Sequence, residues 1–340
     1  MRKFILSAAI LLICLVTRLT GQTLFVDPVK GSDNAKGSLS EPLASLEKAI
    51  QLAGGFTGNE PVIIKLNPGL YILKDKLPIK TGKASDDITS YTIESVTMPD
   101  DTAWHPALMP VISSVSGDNV TTQFKHATGM LVSKNNVHIK GLKFLGNANP
   151  AVKYYYPVNR DSAGFSGLEI SQCYFIGDKN GAVIQGAIWV QGPDVKVDHC
   201  IFYGCKNALL LFKSIKDFSF THSIIYGAYE SAAWFGPVEG EFIFHNNVIT
   251  DCNFFWCRGE NTYPTYMYSN SIITNVKNYM GFYSRNGLIP ADKNSHVEKG
   301  IKRSAKLMVS EVTKEGVPKD YLHLTPQSDG YDLKAGIFKK

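Results

Sequence analysis

The sequence predicts an all-β chain that folds as one solenoid of stacked parallel strands. A template recurs through its second half, with apolar residues at positions 0, +2 and +7 and a small or polar residue at +5. The template starts at Val137, Leu168, Val195, Phe218, Phe242 and Tyr266, so the steps are 31, 27, 23, 24 and 24 residues. A repeat of this length with alternating β-type segments is typical of coils that bury their inward side chains only against neighbouring coils.

One helix is predicted near the N-terminus, over residues 45–53. Ser45 is a good N-cap, and Glu47 and Lys48 follow in the first turn. The apolar residues of this segment form one stripe, made of Leu46, Ala49, Ile50 and Ala53. Since the open end of a solenoid must be covered, we expect a helical cap over about 22–60, coils over about 61–285 and a C-terminal closing segment over about 286–340.

Residues 1–21 have the features of an export signal. Met1–Lys3 supplies positive charge and Phe4–Val16 is an apolar run that is short for a membrane span. Cys14 is not expected to carry a lipid anchor, because Ile13 stands where a small residue would be needed. The mature chain is therefore predicted to begin at residue 22, to lack a transmembrane span and to be periplasmic, secreted or displayed at the cell surface.

The charge of the predicted mature chain is close to balanced. Removal of the first 21 residues leaves 32 basic and 30 acidic residues. A near-neutral body offers no electrostatic basis for binding nucleic acid. The sequence leaves the oligomeric state open.

The cysteines are interpreted as buried small apolar residues. Cys173 and Cys200 both occupy position +5 in successive repeats, so we expect their side chains to be neighbours about 4.8 Å apart along the stack. Cys205 and Cys252 share another position two repeats apart, beyond disulfide reach.

A second β-type segment precedes each template. Strict alternation along it would point a column of aromatic and polar residues outward, namely Lys153, Tyr155, Trp189, Gln191, Leu210, Phe212, Trp234, Trp256, Arg258, Tyr283 and Arg285. Exposed aromatic rings can stack on the apolar faces of sugars, and neighbouring cations can pair with carboxylates. The alternative is that loops cover the column and bury it as ordinary core.

Four segments carry a resemblance to a known group of proteins. They are the opening that begins Val26-Asp27-Pro28, the turn Asn67-Pro68-Gly69 with Tyr71, the stretch Val195–Cys200 with its Asp-His pair, and the tail Leu324–Ser328. Together they resemble the pectate lyase-like superfamily of secreted carbohydrate-active proteins. The resemblance implies a single-stranded right-handed parallel β-helix in which the second segment faces a polysaccharide groove.

The resemblance does not settle the chemistry. Pectate lyases place calcium-binding aspartates on that strand, and polygalacturonases place catalytic aspartates there, whereas this chain has Trp189, Gln191, Leu210 and Phe212. Calcium needs several oxygen ligands close together. No cofactor or metal is therefore predicted, and calcium stays an open alternative without its aspartate cluster.

Two mechanisms remain for an enzyme with this surface. β-Elimination needs a base and a cation on the substrate carboxylate, for which Arg258, Arg285, Lys153 and Lys213 are candidates. Hydrolysis needs two carboxyl groups roughly 5–10 Å apart, for which the turns beside the Trp234 and Trp256 strands offer Glu230, Glu239, Asp251 and Glu260. His199 and His222 both fall at position +4, a turn position away from the groove, and are interpreted as stacked turn residues.

The predicted function is action on, or binding to, an extracellular polysaccharide, including one that contains uronic acids. A polysaccharide lyase is the first expectation; a glycoside hydrolase and a non-catalytic glycan-binding or structural solenoid are the alternatives. The expected binding residues are Lys153, Tyr155, Trp189, Gln191, Lys213, Trp234, Trp256 and Tyr283.

Overall fold

A computed structural model describes residues 22–56, 60–80, 90–121, 124–259, 266–284, 287–290 and 296–340. The predicted export signal lies outside these residues and stays a prediction. In the described ranges, none of the helices has the length and apolar character needed to cross a bilayer.

The chain is a right-handed parallel β-helix with three stacks of strands. The first stack carries the start of each repeat and contains β1 (Gln22–Val26), β2 (Val62–Leu66), β5 (Tyr91–Ser95), β8 (Val137–Lys140), β11 (Leu168–Ser171), β14 (Val195–Asp198), β17 (Ile215–Thr221), β20 (Val238–His245), β23 (Tyr266–Thr274) and β26 (His296–Lys302). Val137, Leu168, Val195, Phe218 and Phe242 pair in register from coil to coil. The predicted repeat is therefore confirmed.

The second stack follows the first within each coil. It contains β3 (Leu70–Leu73), β6 (Val111–Ser114), β9 (Lys143–Asn147), β12 (Tyr174–Ile176), β15 (Ile201–Tyr203), β18 (Ile224–Tyr226) and β21 (Val248–Thr250). Position +7 of the template lies here, and the rings of Phe144, Phe175 and Phe202 stack with centroids 4.8 and 4.9 Å apart. The two stacks together form a 17-stranded sheet, sheet A.

The third stack is a separate nine-stranded sheet, sheet B. Its strands are β4 (Leu77–Ile79), β7 (Ala127–Val132), β10 (Tyr155–Arg160), β13 (Ile188–Val190), β16 (Asn207–Leu211), β19 (Ser231–Phe235), β22 (Phe254–Gly259), β24 (Asn278–Ser284) and β25 (Gly287–Pro290). All neighbours are parallel except β25, which folds back antiparallel on β24.

The predicted helical cap is present as α1 (Leu46–Ala53). The Ser45 side chain accepts a hydrogen bond from the backbone N–H of Lys48, and the predicted apolar stripe is buried. Two short 3-10 helices lie at Pro106–Leu108 and Tyr331–Leu333. The cap thus forms for the reasons that the sequence indicates: a side-chain cap at its start and one apolar face.

A turn between the two stacks of sheet A repeats in six successive coils, from β8 to β23. Its central residues have φ between 39° and 68°, and we call them the turn stack: Gly141, Gln172, His199, His222, Asn246 and Asn270. Short polar side chains and glycine tolerate this left-handed backbone best. The imidazole rings of His199 and His222 stack with centroids 4.5 Å apart, so their predicted turn position is confirmed.

The C-terminal segment packs along the side of the solenoid. Leu322, Leu324 and Ile337 are buried against the outward column that includes Ile201 and Ile224 of the second stack. The described part of the predicted closing segment therefore covers an apolar outer face of sheet A. It leaves the outer face of sheet B as the surface to search for a site.

Candidate functional site

The outer face of sheet B carries a continuous group of aromatic side chains, which we call the aromatic surface. Its members are Phe124, His126, Tyr154, Tyr156, Trp189 and Phe212. The ring centroid of Trp189 lies 4.5 Å from that of Tyr156 and 5.5 Å from that of Phe212. The members come from segments within or beside β7, β10, β13 and β16, so the surface crosses four neighbouring coils.

The aromatic surface has a buried floor and an exposed rim. Trp189 is only 7% exposed, whereas Phe124, Tyr154 and Phe212 are 39%, 38% and 36% exposed. Large apolar side chains grouped in the open cost hydration free energy and commonly mark a binding surface. The rim is therefore the part that a ligand can reach.

A second apolar group continues along sheet B toward the C-terminal coils. Trp234 packs here with Leu210, Phe254 and Cys257. Trp234 is 9% exposed, and its ring lies 5.4 Å from that of Tyr283, which is 49% exposed. Apolar side chains on the outer face of sheet B thus bury one another, and only single rings such as that of Tyr283 are open to solvent.

Glu230 is held beside the aromatic surface by a buried amide. Its Oε2 accepts a hydrogen bond of 2.7 Å from Nδ2 of Asn207, a residue that is 1% exposed. Its Oε1 lies 3.4 Å from Nζ of Lys206. Burial, with the nearby Tyr154 and Glu230, raises the pKa of Tyr156, so the phenol stays protonated. The result is a fixed, partly exposed carboxylate near a protonated hydroxyl group.

His126 contributes a neutral imidazole to the same surface. Its Nδ1 lies 3.1 Å from the carbonyl oxygen of Phe124, so Nδ1 carries the proton that is donated there. Burial lowers the pKa of His126, which keeps the ring neutral at pH 7. Its Nε2 is buried and has no hydrogen-bond partner among the described residues. The neutral ring therefore offers a flat face for packing, and its Nε2 is available as a hydrogen-bond acceptor.

The register of sheet B decides which tryptophans face outward. Trp189 and Trp234 lie in one outward column, joined through Leu210 of the strand between them. Trp256 pairs instead with Ala233, whose column faces the interior, and it is 0% exposed. The predicted outward orientation of Trp256 is therefore wrong. Phe254 and Cys257 face outward while Phe255 and Trp256 both belong to the main core, so strict alternation breaks within β22.

Arg258 lies inside the solenoid as well. It is 1% exposed, and its guanidinium carbon is 5.3 Å from the ring centroid of Tyr266. The predicted outward position of Arg258 is wrong for the same reason of register, since it follows Trp256 by two residues on the same face. A cation so placed cannot reach the carboxylate of a ligand on sheet B.

Tyr155 is also misplaced by the sequence analysis. It begins β10 rather than ending a strand, and it is 1% exposed within the main core. Lys153 and Lys213 are exposed and Gln191 is partly buried. Glu260 and Arg285 lie outside the described residues, so their predicted roles stay predictions.

Sequence reasoning missed Phe124 and Tyr154. Both lie in irregular segments just before β7 and β10, where no template or alternation marks an outward position. The available signal was composition alone, in the run Tyr154-Tyr155-Tyr156. Their place on the aromatic surface follows from how coils of different lengths fold over the sheet.

A separate group of possible metal ligands lies on sheet A, at the turn stack. Asp198, His199 and His222 each offer one ligand atom, and these atoms lie within 4.8 Å of one another. Burial opposes ionisation of Asp198, but the adjacent His199 ring and the hydrogen bond from Thr221 hold its pKa below the ordinary value. It is the one such group in the described part of the chain, and it lies on a different sheet from Trp189, Gln191, Leu210 and Phe212.

Comparison with known proteins finds similar solved structures but no matching family model and no matching curated protein. A rhamnogalacturonan lyase is 11% identical, with 90% of this chain and 97% of that chain covered and a TM-score of 0.42. A pectin methylesterase from Aspergillus niger is 12% identical, with 84% and 86% covered and a TM-score of 0.45. Pectate lyase Pel9A is 14% identical, with 91% and 90% covered and a TM-score of 0.35.

Proposed function

We propose that this protein binds an extracellular polysaccharide along the aromatic surface of sheet B. The observation that carries the proposal is the set of three exposed rings, Phe124, Tyr154 and Phe212, grouped around the buried Trp189. Four neighbouring coils span about 14 Å at the usual strand spacing. That length suits several linked sugars better than one.

The chemistry of the surface fits a carbohydrate. Sugar rings combine apolar C–H faces with hydroxyl groups, so their binding sites pair flat aromatic rings with a few fixed polar groups. Phe212 and Phe124 supply the rings. Glu230, oriented by Asn207, supplies a fixed acceptor for hydroxyl groups.

Cleavage of the bound glycan is the second candidate, and the fixed carboxylate of Glu230 favours it. In hydrolysis Glu230 would act with a second carboxyl group, for which Glu260 is the sequence-based candidate. In β-elimination from a uronic acid, a base such as the neutral His126 would act with an exposed cation such as Lys213. Arg258 is buried, so among the candidate cations that the structure describes, Lys153 and Lys213 remain to pair with the substrate carboxylate.

A binding experiment tests the proposal. The protein is titrated against neutral and acidic polysaccharides, and affinity is compared for wild type, Phe212→Ala and Phe124→Ala. Loss of one stacked ring should weaken binding severalfold to about tenfold, because such contacts contribute about 0.5–1.5 kcal/mol beyond area burial. Tyr331→Ala removes a similarly exposed ring, 42% open, in the C-terminal segment and is the matched control.

The outcomes separate the candidates. Unchanged affinity in both phenylalanine variants, with the fold intact by circular dichroism, overturns the proposed surface. Reducing ends released by wild type without an unsaturated uronate chromophore, and lost in Glu230→Gln, indicate hydrolysis, whereas the chromophore indicates elimination. Saturable binding without either product leaves a glycan-binding solenoid.

A further inference from the structure

Asp198 and the two stacked histidines form a compact group of metal-ligating atoms on sheet A, apart from the proposed glycan site on sheet B. Asp198 Oδ1 lies 2.9 Å from Nδ1 of His199 and 3.4 Å from Nδ1 of His222. In a tetrahedral site with zinc–ligand distances of about 2.0–2.1 Å, ligand atoms are about 3.3–3.4 Å apart. Two of the three distances between ligand atoms are therefore close to those around a bound zinc ion.

The two imidazole nitrogens also lack good hydrogen bonds. Nδ1 of His199 and Nδ1 of His222 are buried and have no hydrogen-bond partner of good geometry among the described residues, although both face Oδ1 of Asp198. His199 as a whole is 7% exposed. Buried polar atoms usually have hydrogen-bond partners. These two nitrogens face one carboxylate oxygen, so an ion placed between them and that oxygen could use all three atoms as ligands.

Outer hydrogen bonds hold the group in place. Thr221 donates its hydroxyl to Asp198 Oδ1 at 2.7 Å, and Nδ2 of Asn246 lies 2.8 Å from Nε2 of His222. Asn246 is itself bonded to Nδ2 of Asn270 at 2.6 Å. Partners of this kind orient the ligands of protein metal sites.

We infer that Asp198, His199 and His222 form a binding site for a divalent transition-metal ion, for which the Lys339 ammonium group competes. Two imidazoles and one carboxylate favour an ion such as Zn²⁺ or Co²⁺ over Ca²⁺ or Mg²⁺, which prefer oxygen ligands. The side chains of Asp198 and His222 are 28% and 26% accessible, which gives the ion a path and room for a water ligand.

Binding of an ion requires several side chains of this group to move. Lys339 Nζ lies 3.1 Å from Oδ2 of Asp198, so its charge opposes a second cation. The rings of His199 and His222 are within 12° of parallel, and an ion lies in the plane of each ring that it binds. At least one ring must therefore turn, and Asn246 must turn its amide oxygen toward Nε2 of His222.

Isothermal titration calorimetry of the purified protein with Zn²⁺ as the only ligand tests the site. Wild type should bind one equivalent, and Lys339→Ala should bind severalfold tighter because the competing charge is gone. His222→Asn should lose at least about tenfold in affinity, comparable to the loss of a strong supporting contact at a metal site. Asparagine stands at the equivalent turn position of the next coil, at Asn246, so this variant should fold.

The controls use neighbouring groups. His245→Ala removes an imidazole 5.4 Å from that of His222 but outside the ligand group, and its Zn²⁺ affinity should equal that of wild type. Co²⁺ bound by Lys339→Ala should give visible absorption bands of a tetrahedral ion. No saturable Zn²⁺ binding by Lys339→Ala overturns the inference, as does undiminished binding by both His222→Asn and Asp198→Asn.

Discussion

Trp256 pairs in register with Ala233, and Trp234 pairs with Cys257 on the opposite face of the same two strands. The two tryptophans therefore point in opposite directions, although both sit at the same place in similar aromatic segments. Trp234 belongs to the outer face of sheet B, while Trp256 belongs to the main core. This single relationship decides which side chains a ligand on sheet B can meet.

Trp256→Ala should lower the free energy of unfolding by about 3–5 kcal/mol, the usual cost of truncating a buried tryptophan. The side chain is 0% exposed and packs among Phe242, Phe255 and Tyr266, so its removal leaves a cavity. Urea unfolding followed by circular dichroism measures the change. Phe212→Ala, at an exposed position, is the control and should cost far less; equal losses would contradict the assigned orientations.

Arg258→Ala should destabilise the fold without changing how salt affects glycan binding. The buried guanidinium group lies over the ring of Tyr266, and a desolvated contact of this type is worth about 2 kcal/mol or more. Thermal unfolding and binding at two salt concentrations measure the two effects. Lys213→Ala removes an exposed charge and should show the reverse pattern; a large salt effect for Arg258→Ala would place its charge at the surface.

The five cysteines of the described residues should not react with a thiol reagent while the protein is folded. Cys173, Cys200, Cys205, Cys252 and Cys257 are all buried free thiols. Burial raises the pKa of Cys200, whose side chain also interacts with Cys173 as the repeat predicts. Burial also raises the pKa of Cys205, Cys252 and Cys257 to about 12. The thiolate is the reactive form, so reaction should follow unfolding in denaturant. Rapid labelling of any of them in the native state would reveal local opening.

Glu169 should make stability fall as the pH is lowered. His138 Nδ1 lies 3.1 Å from its Oε2, and this hydrogen bond, opposed by burial and aided by Lys140, lowers the pKa of Glu169 from 4.5 to about 2. A carboxyl group whose folded pKa is depressed stabilises the fold above its unfolded pKa, and that contribution disappears as the pH falls from about 4.5 to about 2. Thermal unfolding of wild type and Glu169→Gln should therefore differ at pH 7 and converge toward pH 2. A constant difference across that range would exclude the charge of Glu169 as the cause.

The stacking of sheet A could be predicted from the residue pattern alone. Phe218 and Phe242 pair where the template places them, and Phe144 stacks on Phe175 at position +7. In the first stack, inward apolar residues alternate with outward polar ones, as in the Val-Lys-Val-Asp of β14, and six successive coils repeat the same turn. Periodicity of this kind specifies both the face and the register of a strand. The N-terminal helix was predictable for a similar reason, since Ser45 and one apolar stripe define it locally.

The side-chain orientations in sheet B and the two sites depend instead on how the whole chain folds. Strands such as β10, β13 and β16 are buried on both faces, so their apolar residues run without alternation and no periodicity shows which way Trp256 or Arg258 points. The aromatic surface gathers Phe124 and Phe212 from coils far apart in sequence. The contact between Asp198 and Lys339 likewise forms only when the C-terminal segment packs on sheet A. Local pattern cannot encode such contacts, because they depend on the path of the chain between them.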